Sequence, residues 1–151
     1  MKYTVLFLFL FSYRPAYSMS CKYAFTNGKN TQTVEIMRSL RDLMWEIDAG
    51  VRDLKSGNDA WQNLKVVNKE LILLSNELYL HAVTKYITPR IEMIEPAKRP
   101  GFIKKYEASY KALIFWFEKL DAAIEARESV DEVSHIVAQI RDFSTRMHYK
   151  Y

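Results

Sequence analysis

The chain has 151 residues, of which 49% are hydrophobic and 26% charged, and its formal net charge is +4. This length is enough for one domain with one core. Lys and Arg alternate with Asp and Glu along the chain and form no basic stripe, which argues against a nucleic-acid-binding protein. With 4 Gly, 4 Pro and no alternating apolar pattern of the kind strands show, the sequence predicts an all-α fold.

Residues 1–18 have the pattern of a secretory signal peptide. Lys2 precedes an apolar run at residues 4–11, which is too short to span a bilayer. Ala16-Tyr17-Ser18 fits the small-any-small rule for cleavage. We therefore expect the chain to be exported to the periplasm, with no membrane span in the mature protein.

The mature chain is expected to begin at Met19, with a flexible arm at residues 19–29 and the folded domain at residues 30–151. Cys21 is the single cysteine, so an intramolecular disulfide is excluded. Ser18-Met19-Ser20-Cys21 leaves open whether Cys21 is lipid-modified, but a free thiol in the arm is favoured. The motif Cys-x-x-Cys-His does not occur, so the usual covalent attachment of c-type haem is excluded.

The first half of the folded domain predicts two amphipathic helices. Asn30, Thr31 and Thr33 are candidate caps for the first helix. Its apolar residues recur every three or four positions, at Val34, Met37, Leu40, Met44, Ile47, Val51 and Leu54. Ser56-Gly57-Asn58 ends this helix, and Asn58 or Asp59 caps the next. The second helix, which continues to about Lys85, has its apolar residues at Trp61, Leu64, Val67, Leu71, Leu74, Leu78 and His81.

The second half predicts two more helices after a long proline-containing connection at residues 88–101. That connection has room for a short turn around Ile91 to Ile94. The third helix starts after Pro100-Gly101, and its apolar face is Tyr106, Tyr110, Leu113, Phe117, Leu120 and Ile124, widened by Phe115 and Trp116. Ser129 and Glu132 form a capping box that opens the fourth helix. Its apolar face is Val133, Val137, Ile140, Ser144, Met147 and Tyr151.

Two short connections and one long one favour an antiparallel up-down-up-down four-helix bundle. In that topology the first and last helices are neighbours, and their outer ends meet. Met37 lies near the start of the first helix, and His148 is fourth from the end of the chain. Both are expected on the apolar faces. A thioether and an imidazole brought together there can ligate one haem iron from both sides.

The residues around this pair resemble the soluble cytochrome b562 family. Met37-Arg38-Ser39-Leu40-Arg41-Asp42 is similar to the family's first-helix pattern of Met, any, Ser/Thr, Leu, any, Asp. His148-Tyr149-Lys150-Tyr151 is similar to its terminal pattern of His, any, Lys, Tyr. The resemblance implies a monomeric periplasmic electron-transfer protein with one non-covalent haem b, axial ligands Met37 and His148, an unidentified redox partner and no enzymatic activity.

The sequence also departs from the family pattern. These departures leave open the alternative of a haemless bundle that binds a partner or serves a structural role. Ser144 stands where haem-bearing members have an arginine, and no arginine follows Tyr151. These arginines can meet haem propionates. Arg141, Arg146 or Lys150 are the possible substitutes here. The large side chains of Phe143 and Tyr149 are also expected to crowd the haem end.

Other candidate ligands compete with this pair. Met44 lies one heptad deeper than Met37, and His81 ends the second helix, so a pairing of His81 with His148 is conceivable. A buried His81 bonded to a backbone carbonyl is favoured. His135 is expected to be exposed. The carboxylates of Glu46, Asp48 and Glu70 are expected on polar faces, and no Glu-x-x-His motif indicates a di-iron site.

Overall fold

The computed structural model describes residues 31–84 and 89–150. Within them lie four helices: α1 (Thr31–Lys55), α2 (Trp61–Thr84), α3 (Arg99–Glu125) and α4 (Val130–Lys150). Two short 3₁₀ helices, Pro89–Met93 and Pro96–Lys98, occupy the connection between α2 and α3. The described part of the chain contains no strand. The prediction of an all-α fold with four helices is therefore confirmed.

The chain divides into two compact units, Met1–Glu35 and Ile36–Tyr151. The second unit contains α2, α3, α4 and all but the first residues of α1. The predicted signal peptide, the predicted arm with Cys21, and the cap candidate Asn30 lie outside the described residues. The same holds for Tyr151, the last residue of the predicted haem motif.

The helix ends follow the local signals in the sequence. Gly57 has φ +83°, and the N–H of Asn58 donates to the carbonyl of Asp53 at 3.0 Å, which closes α1. Asp59 Oδ1 accepts from the N–H of Trp61 at 3.3 Å and begins α2. Ser129 Oγ accepts from the N–H of Glu132 at 3.2 Å and begins α4, as the capping box predicts.

The third helix begins at Arg99, three residues earlier than the sequence indicates. Pro100 lies in its first turn, where a backbone N–H has no partner within the helix and the missing donor costs nothing. Pro100 therefore belongs to the start of α3 and does not precede the helix.

All four helices contribute to one core. Its fully or nearly fully buried members come from all four helices and include Ile47, Leu64, Leu71, Leu120, Val133, Ile136 and Ile140. The predicted apolar faces of α2 and α4 largely coincide with the buried ones. Ile136, which the predicted face omits, is among the most buried residues of α4.

Three side-chain contacts show that α2 and α3 run antiparallel. Lys65 Nζ lies 2.7 Å from Glu125 Oε2, Asn68 Nδ2 donates to the carbonyl of Phe117 at 3.0 Å, and Tyr79 Oη donates to Glu107 Oε1 at 2.8 Å. The residue numbers increase along α2 while those of the partners on α3 decrease. Helix α3 also packs against α4.

Two apolar faces differ from the predicted ones. On α1 the buried side is centred on Ile36, Leu43 and Ile47, and Met37 is 40% exposed rather than central. Met37 follows Ile36 directly, so it lies about 100° around the helix from that side. On α3, Phe115 is 60% exposed and does not widen the buried face.

Candidate functional site

The two predicted iron ligands lie in the second turn of α1 and the last turn of α4. Met37 is partly exposed at the border of the apolar face of α1, and His148 is half-buried. The ring of His148 lies 6.5 Å from that of Tyr149 in an edge-to-face arrangement. Neither side chain is enclosed in the core.

An ion pair identifies the faces with which α1 and α4 meet. Arg141 on α4 contacts the carboxylate of Asp48 on α1, and the Asp48 side chain is only 12% exposed. The expectation that Asp48 lies on a polar face is therefore wrong. The reason is that the carboxylate lies between two helices, where a guanidinium compensates the loss of water.

Met37 and His148 lie on these same faces. Met37 is eleven residues before Asp48, which is three helical turns and leaves the two residues about 20° apart around α1. His148 is seven residues after Arg141, which is two turns and again about 20°. The border of the α1 apolar face on which Met37 lies is thus the border that contacts α4.

The register along the helices brings the two residues to similar heights if α1 and α4 run antiparallel, as the predicted topology requires. Met37 lies about 16 Å along α1 from Asp48, and His148 lies about 10 Å along α4 from Arg141. The difference is about 6 Å, which is little more than one helical turn.

Toward this end the side chains of α4 are less completely buried, and so are some of α1, although Val34 and Ile36 of α1 are buried. Side chains that pack against the core but remain only partly buried include Leu40, Met44, Phe143 and Met147. On α2 and α3 the corresponding ends are more closed, since Leu78, Ala82 and Tyr106 are buried.

Two of the predicted propionate partners already have carboxylate partners. Arg141 contacts Asp48, and Arg146 Nη1 lies 3.0 Å from Asp142 Oδ2. An arginine far away in the sequence, which no sequence signal singles out, contacts the residue next to His148. Arg90 Nη1 donates to the carbonyl of Tyr149 at 2.8 Å, although 59 residues separate them. No sequence signal indicates this contact, because it depends on the path of the connection after α2.

The competing ligands occupy different surroundings. Met44 is partly buried and packs against the core, and His81 is half-buried at the end of α2. His135 is exposed, as predicted. Of the two bulky residues expected to crowd the haem end, Phe143 packs against the core, whereas Tyr149 is exposed and does not.

A second polar cluster links α2 to α3. Glu107 accepts from Tyr79 Oη at 2.8 Å and lies 2.9 Å from Lys111 Nζ, whose charge is 5.6 Å from the centre of the Tyr79 ring. The hydrogen bond from Lys111, and then that from Tyr79, lowers the pKa of Glu107 below its ordinary value. The same contact with Glu107 raises the pKa of Lys111. The cluster is solvent-accessible and holds two helices together.

Within residues 31–84 and 89–150, no group of three or more His, Cys, Asp or Glu side chains is arranged to hold a metal ion. None of the helices in the same ranges has the length and apolar character needed to cross a membrane. No family model, curated protein or solved structure matches the chain.

Proposed function

We propose that the protein is a periplasmic b-type cytochrome that binds one haem non-covalently between α1 and α4. Met37 and His148 would be the axial ligands. The observation that carries the proposal is the Asp48–Arg141 ion pair, since each ligand lies on the same helix face as one partner of that pair. The family resemblance around both ligands supports it.

The chemistry of the two side chains suits this role. A bound haem would supply a one-electron ferric–ferrous couple. The thioether of Met37 favours the ferrous form and so raises the reduction potential, and the imidazole of His148 is the more basic donor. Two protein ligands leave no open position for a substrate, which agrees with electron transfer to a redox partner and not with an enzyme.

Arg90 is the most suitable cation for the propionates. Its guanidinium is held at the carbonyl of Tyr149, the residue next to His148. Arginine binds carboxylates with two parallel hydrogen bonds, and Arg90 is exposed. It would compensate for Ser144, which is exposed on α4 and carries no charge.

Haem titration of the purified protein tests the proposal. We expect one haem per chain with a low-spin spectrum. Met37→Ala should keep haem on His148 but give a five-coordinate or water-ligated spectrum and a lower reduction potential. His148→Ala should weaken binding more strongly. Met44→Leu and His81→Gln are the matched controls and should leave the spectrum unchanged.

The haemless alternative predicts a different result. The ion pair with Asp48 gives Arg141 a structural role. This favours the haemless alternative, because Arg141 was one of the possible partners of a haem propionate. If haem produces no low-spin bands and no rise in melting temperature, the cytochrome proposal fails, since a ligand that binds only the folded state must stabilise it. The protein is then a helical module that binds a partner or serves a structural role.

A further inference from the structure

The second helix is apolar on two opposite sides. Its inner side is buried in the core and includes Leu64 and Leu71. Its opposite side carries Val66, Leu73 and Leu80, which are 56%, 70% and 58% exposed. We call these three residues the outer row.

The outer row is regular and long. Its members are seven residues apart, so successive side chains are displaced by only about 20° around the helix, and the row extends about 21 Å. A helix that is apolar on both sides usually has both sides covered. Of the eight large hydrophobic residues that are exposed in the described part of the chain, three form this row. Exposed apolar side chains that recur on one side of a helix in this way are typical of an interaction surface.

The charges beside the outer row differ on its two edges. Lys69 lies about 40° from the row on one edge, and Glu70 lies about 60° from it on the other. Both side chains are exposed, although Lys69 Nζ also lies 3.5 Å from Glu125 Oε1 on α3. The row therefore has a basic edge and an acidic edge at the same height along the helix.

We propose that the outer row binds the outer row of a second copy of this chain, with the two α2 helices parallel. A twofold axis along the helices then places Lys69 of each copy opposite Glu70 of its partner. In the antiparallel arrangement each edge would meet the same edge of the partner, so that the acidic edge of one copy would face the acidic edge of the other. Charge complementarity thus selects a second copy and its orientation.

The size of the surface predicts a weak dimer. A paired helix surface 21 Å long buries on the order of 1,000 Å² in total, near the lower end for specific interfaces. We therefore expect a monomer–dimer equilibrium at micromolar to submillimolar concentrations and not a permanent dimer. This replaces the sequence-based expectation of a monomer. The interface is independent of haem, because the outer row faces away from the core.

Sedimentation velocity of the purified chain, from about 10 µM to about 500 µM, measures the equilibrium. Leu73→Glu places a carboxylate in the middle of the row and should raise the dissociation constant at least tenfold, a change of about 1.4 kcal/mol. Phe115→Glu is the matched control, since Phe115 is similarly exposed on α3, and it should leave the equilibrium unchanged. Melting curves should show that both variants remain folded.

Charge reversal and cross-linking test the orientation. Lys69→Glu alone and Glu70→Lys alone should each weaken the dimer, and the double variant should restore it. In a Cys21→Ser background, Val66→Cys should form an intermolecular disulfide upon mild oxidation. Parallel pairing brings the two positions together, whereas antiparallel pairing would leave them about 21 Å apart.

Three results would overturn the proposal. The first is a protein that stays monomeric at every concentration. This would also be the result if the chain's own N-terminal segment covered the outer row. The second is a dimer that Leu73→Glu does not weaken, which would place the interface elsewhere. The third is a dimer that Val66→Cys fails to cross-link, which would exclude the parallel arrangement.

Discussion

The close approach of Gly50 to Leu64 makes alanine at position 50 a sensitive test of how α1 packs on α2. A Cβ atom built on Gly50 would lie 2.7 Å from Leu64 Cδ2 and 2.9 Å from Leu64 Cγ. Leu64 is completely buried and belongs to the core shared by all four helices. It therefore cannot turn toward solvent to make room, and the helices or their side chains must shift.

Two opposing effects decide the outcome. Replacing a helix-interior glycine by alanine stabilises a helix by about 1 kcal/mol. Adding a methyl group to a filled core costs about 1–3 kcal/mol. We expect the second effect to be larger, so that Gly50→Ala lowers the free energy of unfolding by roughly 1 kcal/mol, or the melting temperature by roughly 3–5 °C.

Gly101 provides the matched control. It lies in the first turn of α3, and a Cβ atom there would meet nothing within 4 Å. Gly101→Ala should therefore raise the free energy of unfolding by up to about 1 kcal/mol. The same chemical change is thus expected to have opposite signs at the two positions. Urea unfolding monitored by circular dichroism measures both.

A double variant separates packing from helix propensity. Leu64→Ala alone removes a fully buried side chain and should cost about 2–5 kcal/mol. In the Gly50→Ala background it should cost less, because the new methyl group occupies part of the cavity. If Gly50→Ala stabilises the protein as much as Gly101→Ala does, the described contact between α1 and α2 is wrong.

Three further measurements address the helix ends and the polar cluster. Ser129→Ala should lower the free energy of unfolding by about 1 kcal/mol, because the α4 cap at 3.2 Å is lost. Arg127 follows the end of α3 with φ +47°, a conformation that glycine adopts more easily, so Arg127→Gly should stabilise the protein by up to about 1 kcal/mol. Gly57 has φ +83°, so Gly57→Ala should destabilise the protein. Urea unfolding measures both changes. The pKa of Glu107 is lowered from 4.5, so its stabilising contribution is present above that value and is lost as the pH falls through the lowered pKa. Glu107→Gln should therefore flatten the acid limb of a plot of melting temperature against pH, and an unchanged limb would exclude a stabilising role.

Much of the fold could be predicted from the sequence because its signals are local. Periodic apolar residues give the helices, and side chains or glycines at their ends give the caps. Ser129, Asp59 and Gly57 each act within four residues, and each was predicted where it is found. The start of α3 was misplaced because proline is compatible with the first turn of a helix as well as with the connection before it.

The orientation of α1 was harder to predict, because its apolar face is broad. Met37, Met44 and Val51 form one heptad row, and Ile36 and Leu43 belong to a neighbouring one. Periodicity alone does not decide which row lies at the centre, since that depends on where the other helices pack. The contact of Arg90 with Tyr149 is likewise invisible in the sequence, because it joins residues 59 positions apart through an irregular connection.

The rotation of α1 changes what its two methionines can do. A methionine at the centre of the face would be surrounded by core side chains, as other core methionines are. Met37, at the border toward α4, is instead partly exposed on the face that also carries Asp48. A side chain in that position contributes little to the core and remains in contact with solvent. The displacement from the predicted centre therefore counts against iron ligation by Met37, because a ligand on the apolar face was expected to face inward, while Met44 packs against the core one heptad deeper.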